Sequence, residues 1–562
     1  MAQRLVLFFS LFLLFSHPCF SQGNAPPEAY LEGSALPYFG TEDAWNRRAY
    51  QKDGEDDYKE YGRFGQRQML DIVEGRLQEA VEYCRKTLRT HPRDPESLFN
   101  LAIAFSQMGN TEDAVQAMQD AVAAGLPFER FLAGPRDLLA PLTDTAAYKA
   151  LSLRYAVRLI HGPMLGRVTA NSASFWVRTA EESPVRAVVS TSPGLEGAIH
   201  STTGATRSEQ EFTCIVRVDG LEPDTTYYYD ILVDGRPSLE RNLPSFKTYP
   251  LKGERKRFQV AFGGGAMYIP DNERMWKTVL SHAPSAFLFL GDNVYIDMPW
   301  HVGALHHYTY YRRQSSPEYR RMVASTPIYA VWDDHDSGID DIWLGPYRDK
   351  PSWKMPTFRI FRNNWINPGY GDPDWPGTWF RFSLADVDLF LLDGRFYRTN
   401  PYGDRPTMLG PVQKAWLKKE LKESRATFKV LASPVPWTFY AKGGALDDWN
   451  GFREERKELF DFLAENRIDG VILISADRHR SDAWRIEREG GYTLYEFESS
   501  RLTNDGFHEL MPGALFGYNE KCSFGLLTFD TTLEDPTVTY QIVSIDNEVV
   551  HSLTLKKSEI SH

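Results

Sequence analysis

Four short apolar runs in the second half of this chain each end abruptly at an aspartate. Phe287-Leu-Phe-Leu290 leads into Gly291-Asp292, and Ile328-Tyr-Ala-Val-Trp332 into Asp333-Asp334-His335-Asp336. Leu389-Phe-Leu-Leu392 leads into Asp393, and Val471-Ile-Leu-Ile474 into Ser475-Ala476-Asp477-Arg478-His479. Four to six apolar residues bounded by breakers read as buried strands. In open sheets covered on both faces, ligands gather outside the carboxyl ends of the strands. The pattern therefore delivers carboxylates and imidazoles to one sheet edge, and such a cluster calls for a multivalent cation. A metal-dependent hydrolase is the reading that follows.

At 562 residues the chain has room for about three to five domains. A formal net charge of −12 argues against an extended nucleic-acid surface, which would show a basic stripe. It leaves phosphate chemistry open, because bound cations invert the local field. Residues 1–21, with Arg4 ahead of the apolar run Leu5 to Phe15, read as a secretory signal peptide too short to span a membrane. Cys19 raises a lipoprotein alternative, ranked second because Ser16-His17-Pro18 is a poor approach sequence. No later apolar stretch is long enough for a transmembrane helix, so the expected location is periplasmic or secreted. Cys84, Cys214 and Cys522 are scattered in apolar patterns and imply no disulfide framework.

Residues 22–60 are polar and rich in Gly, Pro and charge, which suits a linker. Over 61–157 a helical repeat is expected. Gly75-Arg-Leu-Gln-Glu-Ala80-Val81 recurs 34 residues on as Gly109-Asn-Thr-Glu-Asp-Ala114-Val115, the tetratricopeptide period. Leu138 to Leu151 looks like a single capping helix. Two repeats and a cap are marginal alone, so the module is expected to pack on something else. A protein-binding surface and a structural prop fit it equally well. Over 160–250 the pattern turns to alternating strands, with Gly220-Leu-Glu-Pro-Asp-Thr-Thr-Tyr227 as a tyrosine-corner approach. A seven-stranded, fibronectin-like β-sandwich is expected there. Over 255–557 strands alternate with helical stretches such as Pro411 to Leu421 and Glu454 to Leu463, meaning an α/β (α+β) catalytic core completed by late strands after Ser523.

Within that core Asp292, freed to turn outward by Gly291, is placed to bridge two cations a few ångströms apart. Tyr295 is a candidate phenolate ligand, which would favour Fe3+. Asp333 to Asp336 add hard oxygens around an imidazole, and Asp477 with His479 supplies another carboxylate and imidazole. Such sites suit Ca2+, Mg2+ or Mn2+, with the histidine and phenol suiting iron or zinc.

Gly291 to Asp297, Trp332 to Asp336, Leu391 to Arg398, Leu409 to Leu417 and Ser475 to His479 together resemble the PhoD-type alkaline phosphatases, a metallophosphoesterase family. The resemblance spans about Gly162 to Leu555 and leaves the helical repeat outside. It implies that Asp292, Tyr295, Asp334, Asp477 and His479 bind metal, and that His335 faces the leaving group. Arg395 would act in catalysis and, with Asn293 and Arg478, in holding the phosphate. The family carries a cysteine thiolate on iron after the first strand; here Gly263-Gly264-Gly265 puts Gly265 in that place. Asp340-Asp341 adds an aspartate where many relatives place asparagine, extra charge that could retain a divalent pair. Phosphate-ester hydrolysis outside the cytoplasm by metal-activated water is the expected reaction. The rivals are a phosphodiesterase or phospholipase D-like activity at the same site, and a catalytically impaired binding protein working through the repeat. A carbohydrate-active enzyme is weaker, because it gives no role to Tyr295 or His479.

Overall fold

Four of the seven α-helices between Tyr61 and Tyr155 form two antiparallel pairs: Tyr61–Val73 with Leu77–Thr90, and Pro95–Gln107 with Thr111–Ala123. The computed structural model describes residues 61–239, 242–299 and 301–562; the expected signal peptide and linker lie outside the described residues. Gly75, Gly109 and Gly125 end their helices at positive φ, which only glycine adopts without strain. Ala80 and Ala114 are fully buried where the paired helices cross. Asp94 caps the third helix by accepting from the Ser97 N–H at 2.8 Å, and Pro95 takes the first turn, where it needs no N–H partner. The cap of the repeat is two helices, Arg136–Thr143 and Ala146–Tyr155, rather than one. Thr145 interrupts the run by accepting from the Tyr148 N–H and restarting the chain as a new N-cap.

The repeat leans on the helix Ala304–Gln314. Glu96 is buried between Arg130 (2.6 Å) and the donating hydroxyl of Tyr308 (2.6 Å), and Gln66 donates to Thr309 at 3.2 Å. Burial opposes the charge on Glu96, and Arg130 and Arg312 outweigh it, holding its pKa below the ordinary value. Replacing Arg130 with alanine strands that charge, so a loss of about 3–5 kcal/mol is expected, read by urea unfolding. Limited proteolysis should then release the repeat from the rest of the chain.

Two antiparallel sheets follow. Leu159–Gly166, Ser172–Thr179 and Thr213–Asp219 form one; Pro184–Ser190 and Thr226–Val233, flanked by four pieces of two or three residues, form the other. Nine strands stand where seven were expected, because the Ser-, Thr- and Gly-rich stretch after Ser190 breaks an edge into Ile199–His200 and Gly204–Ala205. Phe175 and Val177 point between the sheets, where Phe175 meets Tyr229 at 4.3 Å, while Trp176 points the other way and donates to the Asn363 carbonyl. That strand is covered on both faces, which explains its unbroken burial. Tyr227 Oη accepts from the Glu222 N–H at 2.8 Å, tying its strand to the preceding loop.

The remaining chain builds two sheets face to face with helices outside. In the first, Ile328–Val331, Ala286–Leu290 and Arg257–Gly263 run parallel, and Ser523–Asp530, Thr537–Ser544 and Val549–Lys556 complete it antiparallel. In the second, Val387–Leu391, Phe428–Ala432, Val471–Ser475 and Leu494–Ser499 run parallel. Leu288 and Leu290 face the second sheet, whereas Phe287 and Phe289 pack on Trp276. The four aspartate-ended runs are thus divided between two sheets instead of lining one edge. The carboxyl ends of the two sheets meet where the Gly264 N–H donates to the Ser499 carbonyl and Leu502 N–H to that of Gly264. Trp365, Trp375 and Trp379 are buried and pack in the core beside Tyr397 and Phe361.

Candidate active site

Gly291 ends its strand at φ +104, and a Cβ there would lie 2.4 Å from that of Asp333, so only glycine lets these two loops cross. The next residue, Asp292, is turned into the site at φ +51. Its carboxylate accepts from the Tyr295 hydroxyl at 3.1 Å, and the same hydroxyl lies 3.1 Å from His479 Nε2. Asn504 Nδ2 donates to Tyr295 at 2.9 Å and lies 3.2 Å from His479 Nε2. Ligand atoms of Asp292, Asp334 and His335 fall within 4.8 Å of one another, and so do those of Asp334, Asp340 and Asp341. Residues from loops after strands of both sheets therefore converge on one spot.

Burial pushes the Asp292 carboxyl well above the usual carboxylate range, with His335 opposing and Asp334, Asp333 and Asp336 reinforcing the shift. Burial also raises the Tyr295 phenol, and Asp292 adds to it. For His479, burial and then the neighbouring His508 and His335 hold the imidazole well below its ordinary value, in the neutral form a cation needs. Burial disfavours a charged His335, but Asp297, Asp334 and Asp292 together hold it well above the usual histidine range. One oxygen of Asp292 is buried with no hydrogen-bond partner among the described residues. Crowded carboxylates, an orphaned oxygen, a phenol and a neutral imidazole fit a multivalent cation, since only a strong positive charge keeps such acids ionised together.

Not every expected ligand behaves alike. Asp477, at φ +73, is held 2.9 Å from Lys442 Nζ instead of meeting His479. Arg395 is corrected outright: it is fully buried, bonded through Nε to Asp333, through Nη1 and Nη2 to Asp447 at 2.7 and 2.9 Å, and to the Ile342 carbonyl at 3.0 Å. Four of its five N–H donors are taken, and Nη2 also faces Asp334 at 3.7 Å, so the guanidinium is turned to acids rather than to a phosphate. Asn293 is corrected for a similar reason, because its amide nitrogen donates to Val331 O and Asp336, leaving only an acceptor oxygen that would repel an anion. Arg478 is different. It is half-buried beside His479, and its Nε has no hydrogen-bond partner among the described residues. Asp393, at the end of another of the apolar runs, accepts from Trp332 Nε1 and from the backbone of Thr378, Arg395 and Phe396, a structural knot.

Sequence reasoning passed over Asp297 on His335 Nδ1, His508 stacked on His479 at 4.9 Å, and Asn504, Asp447 and Lys442. Asp297 closes the Gly291 motif, a signal within reach. Asn504 also follows a buried strand, but several residues on and without a charge.

Gly265 sits at φ +67, and a Cβ there would come within 2.9 Å of the Arg501 nitrogen. Its carbonyl accepts from Thr503 and Asn504 N–H groups. Gly265→Ala and Gly265→Cys should each cost about 1–2 kcal/mol from the left-handed backbone alone. Both should lower the melting temperature, and the cysteine should not simply restore a thiolate ligand.

Three family models match along the chain: a tetratricopeptide repeat over residues 72–131, a domain of unknown function (DUF7800) over 156–249, and PhoD-like phosphatase over 261–523. Alkaline phosphatase D of Bacillus subtilis (strain 168) is 22% identical over 409 residues, covering 61% of this chain and 69% of that protein. Purple acid phosphatase 23 of Arabidopsis thaliana is 24% identical over 291 residues, covering 50% and 58%. A solved structure of PhoD aligns with TM-score 0.59 at 17% identity, over 70% of this chain and 89% of that one. The purple acid phosphatase PPD1 from yellow lupin seeds aligns at 0.54 and 11% identity, over 71% and 75%. At these identities the structural likeness speaks for the fold. The chain carries a PhoD-like phosphatase domain, set behind a tetratricopeptide repeat.

Proposed function

We propose that this protein is an exported, metal-dependent phosphoesterase that hydrolyses phosphate esters by attack of water. The observation that carries the reading is the Tyr295 hydroxyl set between Asp292 and His479, with Asp334 and His335 gathered beside them. Asp292, Tyr295, His479 and Asp334 would hold the cation, a divalent metal such as Mn2+, Ca2+ or Mg2+ with iron as the alternative. When bound there it supplies Lewis acidity, making water acidic enough to ionise near neutral pH and offsetting phosphoryl charge.

The chain's own residues do the rest. Asp297 on Nδ1 fixes the His335 ring, which also lies against Tyr295 at 4.4 Å, and leaves Nε2, 3.9 Å from Asp340 Oδ1, to give a proton to the departing oxygen. Arg478, whose Nε has no hydrogen-bond partner among the described residues, would offer that N–H to the phosphoryl oxygens. Arg395 positions Asp333 and Asp334 rather than touching substrate. Export rests on the leader-like residues 1–21, and no helix among the described residues is long and apolar enough to cross a membrane.

Dialysis against a chelator should abolish hydrolysis of both p-nitrophenyl phosphate and bis(p-nitrophenyl) phosphate, and Mn2+ should restore it. The ratio of the two rates separates monoesterase from diesterase. Undiminished turnover by metal-free protein would refute the reading.

A further inference from the structure

Lys442 lies in the loop after Phe428–Ala432, and its side chain is only 5% exposed. Its Nζ is 2.9 Å from Asp477 Oδ2, 2.9 Å from Asp447 Oδ2 and 3.5 Å from Asp341 Oδ1. Three carboxylates from three separate loops thus converge on one ammonium. Asp334 joins this group to the Asp292 cluster: Asp334 Oδ2 accepts from the Asp341 N–H at 2.7 Å and lies 3.7 Å from Arg395 Nη2. Asp447 is shared further with Arg395 and with Arg398 at 2.8 Å.

From this geometry we infer that Lys442 is a tethered cation standing where a second metal ion would otherwise sit, so that the centre takes one metal rather than two. The inference rests on the metal-dependent reading of the Asp292 cluster. A divalent ion ligated by Asp477 would need that oxygen at about 2.0–2.5 Å. The ammonium already stands 2.9 Å from that oxygen as an ion pair, and two cations cannot share the space. Charge points the same way. Asp341, Asp447 and Asp477 face Lys442, with Arg395 and Arg398 closing the far side of Asp447, so three fixed basic groups already answer the carboxylates on this side, and Asp340 adds one more carboxylate beside Asp334. Buried oxygens of Asp292 and Asp477 both lack a hydrogen bond among the described residues, but that of Asp477 has the Lys442 ammonium 2.9 Å away, so it is the Asp292 side that still calls for a cation. A fixed ammonium keeps one positive charge at the centre even when metal is scarce. It also restricts exchange to the Asp292 position.

The test is a metal count by plasma mass spectrometry on full-length protein equilibrated with Mn2+ and desalted, with circular dichroism to verify folding. Wild type and Lys442→Arg should hold about one manganese per chain, and Lys442→Gln should rise to about two. Should Lys442→Gln fail to fold, Asp477→Asn decides instead, and should stay at about one because Asp477 serves the lysine. Two manganese ions in wild type, an unchanged count in folded Lys442→Gln, or loss of metal in Asp477→Asn would each overturn the inference. No metal at all in wild type would refute the underlying metal-dependent reading instead.

Discussion

Asp292→Ala should lose metal and phosphoesterase activity together while keeping the fold. The carboxylate touches Tyr295, and through that hydroxyl His479, so its removal takes away the centre of the donor set. Metal Lewis acidity is worth several kcal/mol at a charged transition state, so a fall of about a thousandfold or more in kcat/KM is expected. Stability should change little or rise, because the mutation relieves crowding among Asp292, Asp333, Asp334 and Asp336. Asp292→Asn separates charge from shape: it keeps the volume, removes the negative charge, and should also lose the metal. Steady-state kinetics, metal analysis and a urea melt on the same preparation check all three statements. Full activity in a metal-free Asp292→Ala protein would be incompatible with this account.

Arg395→Met should act in the opposite way, on stability first. Wild-type Arg395 is fully buried and answers Asp333, Asp334 and Asp447 at once. Breaking a buried ion pair by removing one partner typically costs about 3–5 kcal/mol, since the remaining charges have neither solvent nor counter-ion. Arg395→Lys should recover only part of this, because an ammonium cannot grip both oxygens of Asp447 as the guanidinium does. A phosphate-binding arginine would give the reverse pattern, with catalysis damaged and stability intact. Denaturant midpoints set beside kcat and KM distinguish the two.

The contrast between these residues explains how far the site is legible in the order of amino acids alone. Asp292, Asp334 and His479 stand at or just past the ends of wholly apolar runs, where burial of the strand forces a polar side chain outward. Tyr295 and His335 follow within a turn of such ends. Asp393 obeys the same rule and yet serves only to bind Trp332 and nearby backbone groups, because a strand end puts a carboxylate near the loops without choosing its partner. Arg395 looked like a phosphate ligand for the same reason: residue type does not reveal whether a guanidinium faces ligand or faces acids. Lys442, Asp447 and Asn504 come from irregular segments that carry no period, and they meet only through the stacking of two sheets. That stacking is itself invisible in hydropathy, since one parallel sheet and two facing ones produce the same buried runs. The helical repeat was the easier part, its 34-residue period being local. Its docking on Tyr308 and Thr309 depends on contacts more than two hundred residues apart in the chain.

The most direct test is anomalous diffraction at the manganese edge from crystals grown with Mn2+. The account predicts a peak bonded to Asp292 and His479 at about 2.0–2.3 Å, beside Tyr295 and Asp334, with Lys442 Nζ still on Asp477. A peak elsewhere, or none at this cluster in active crystals, would contradict it.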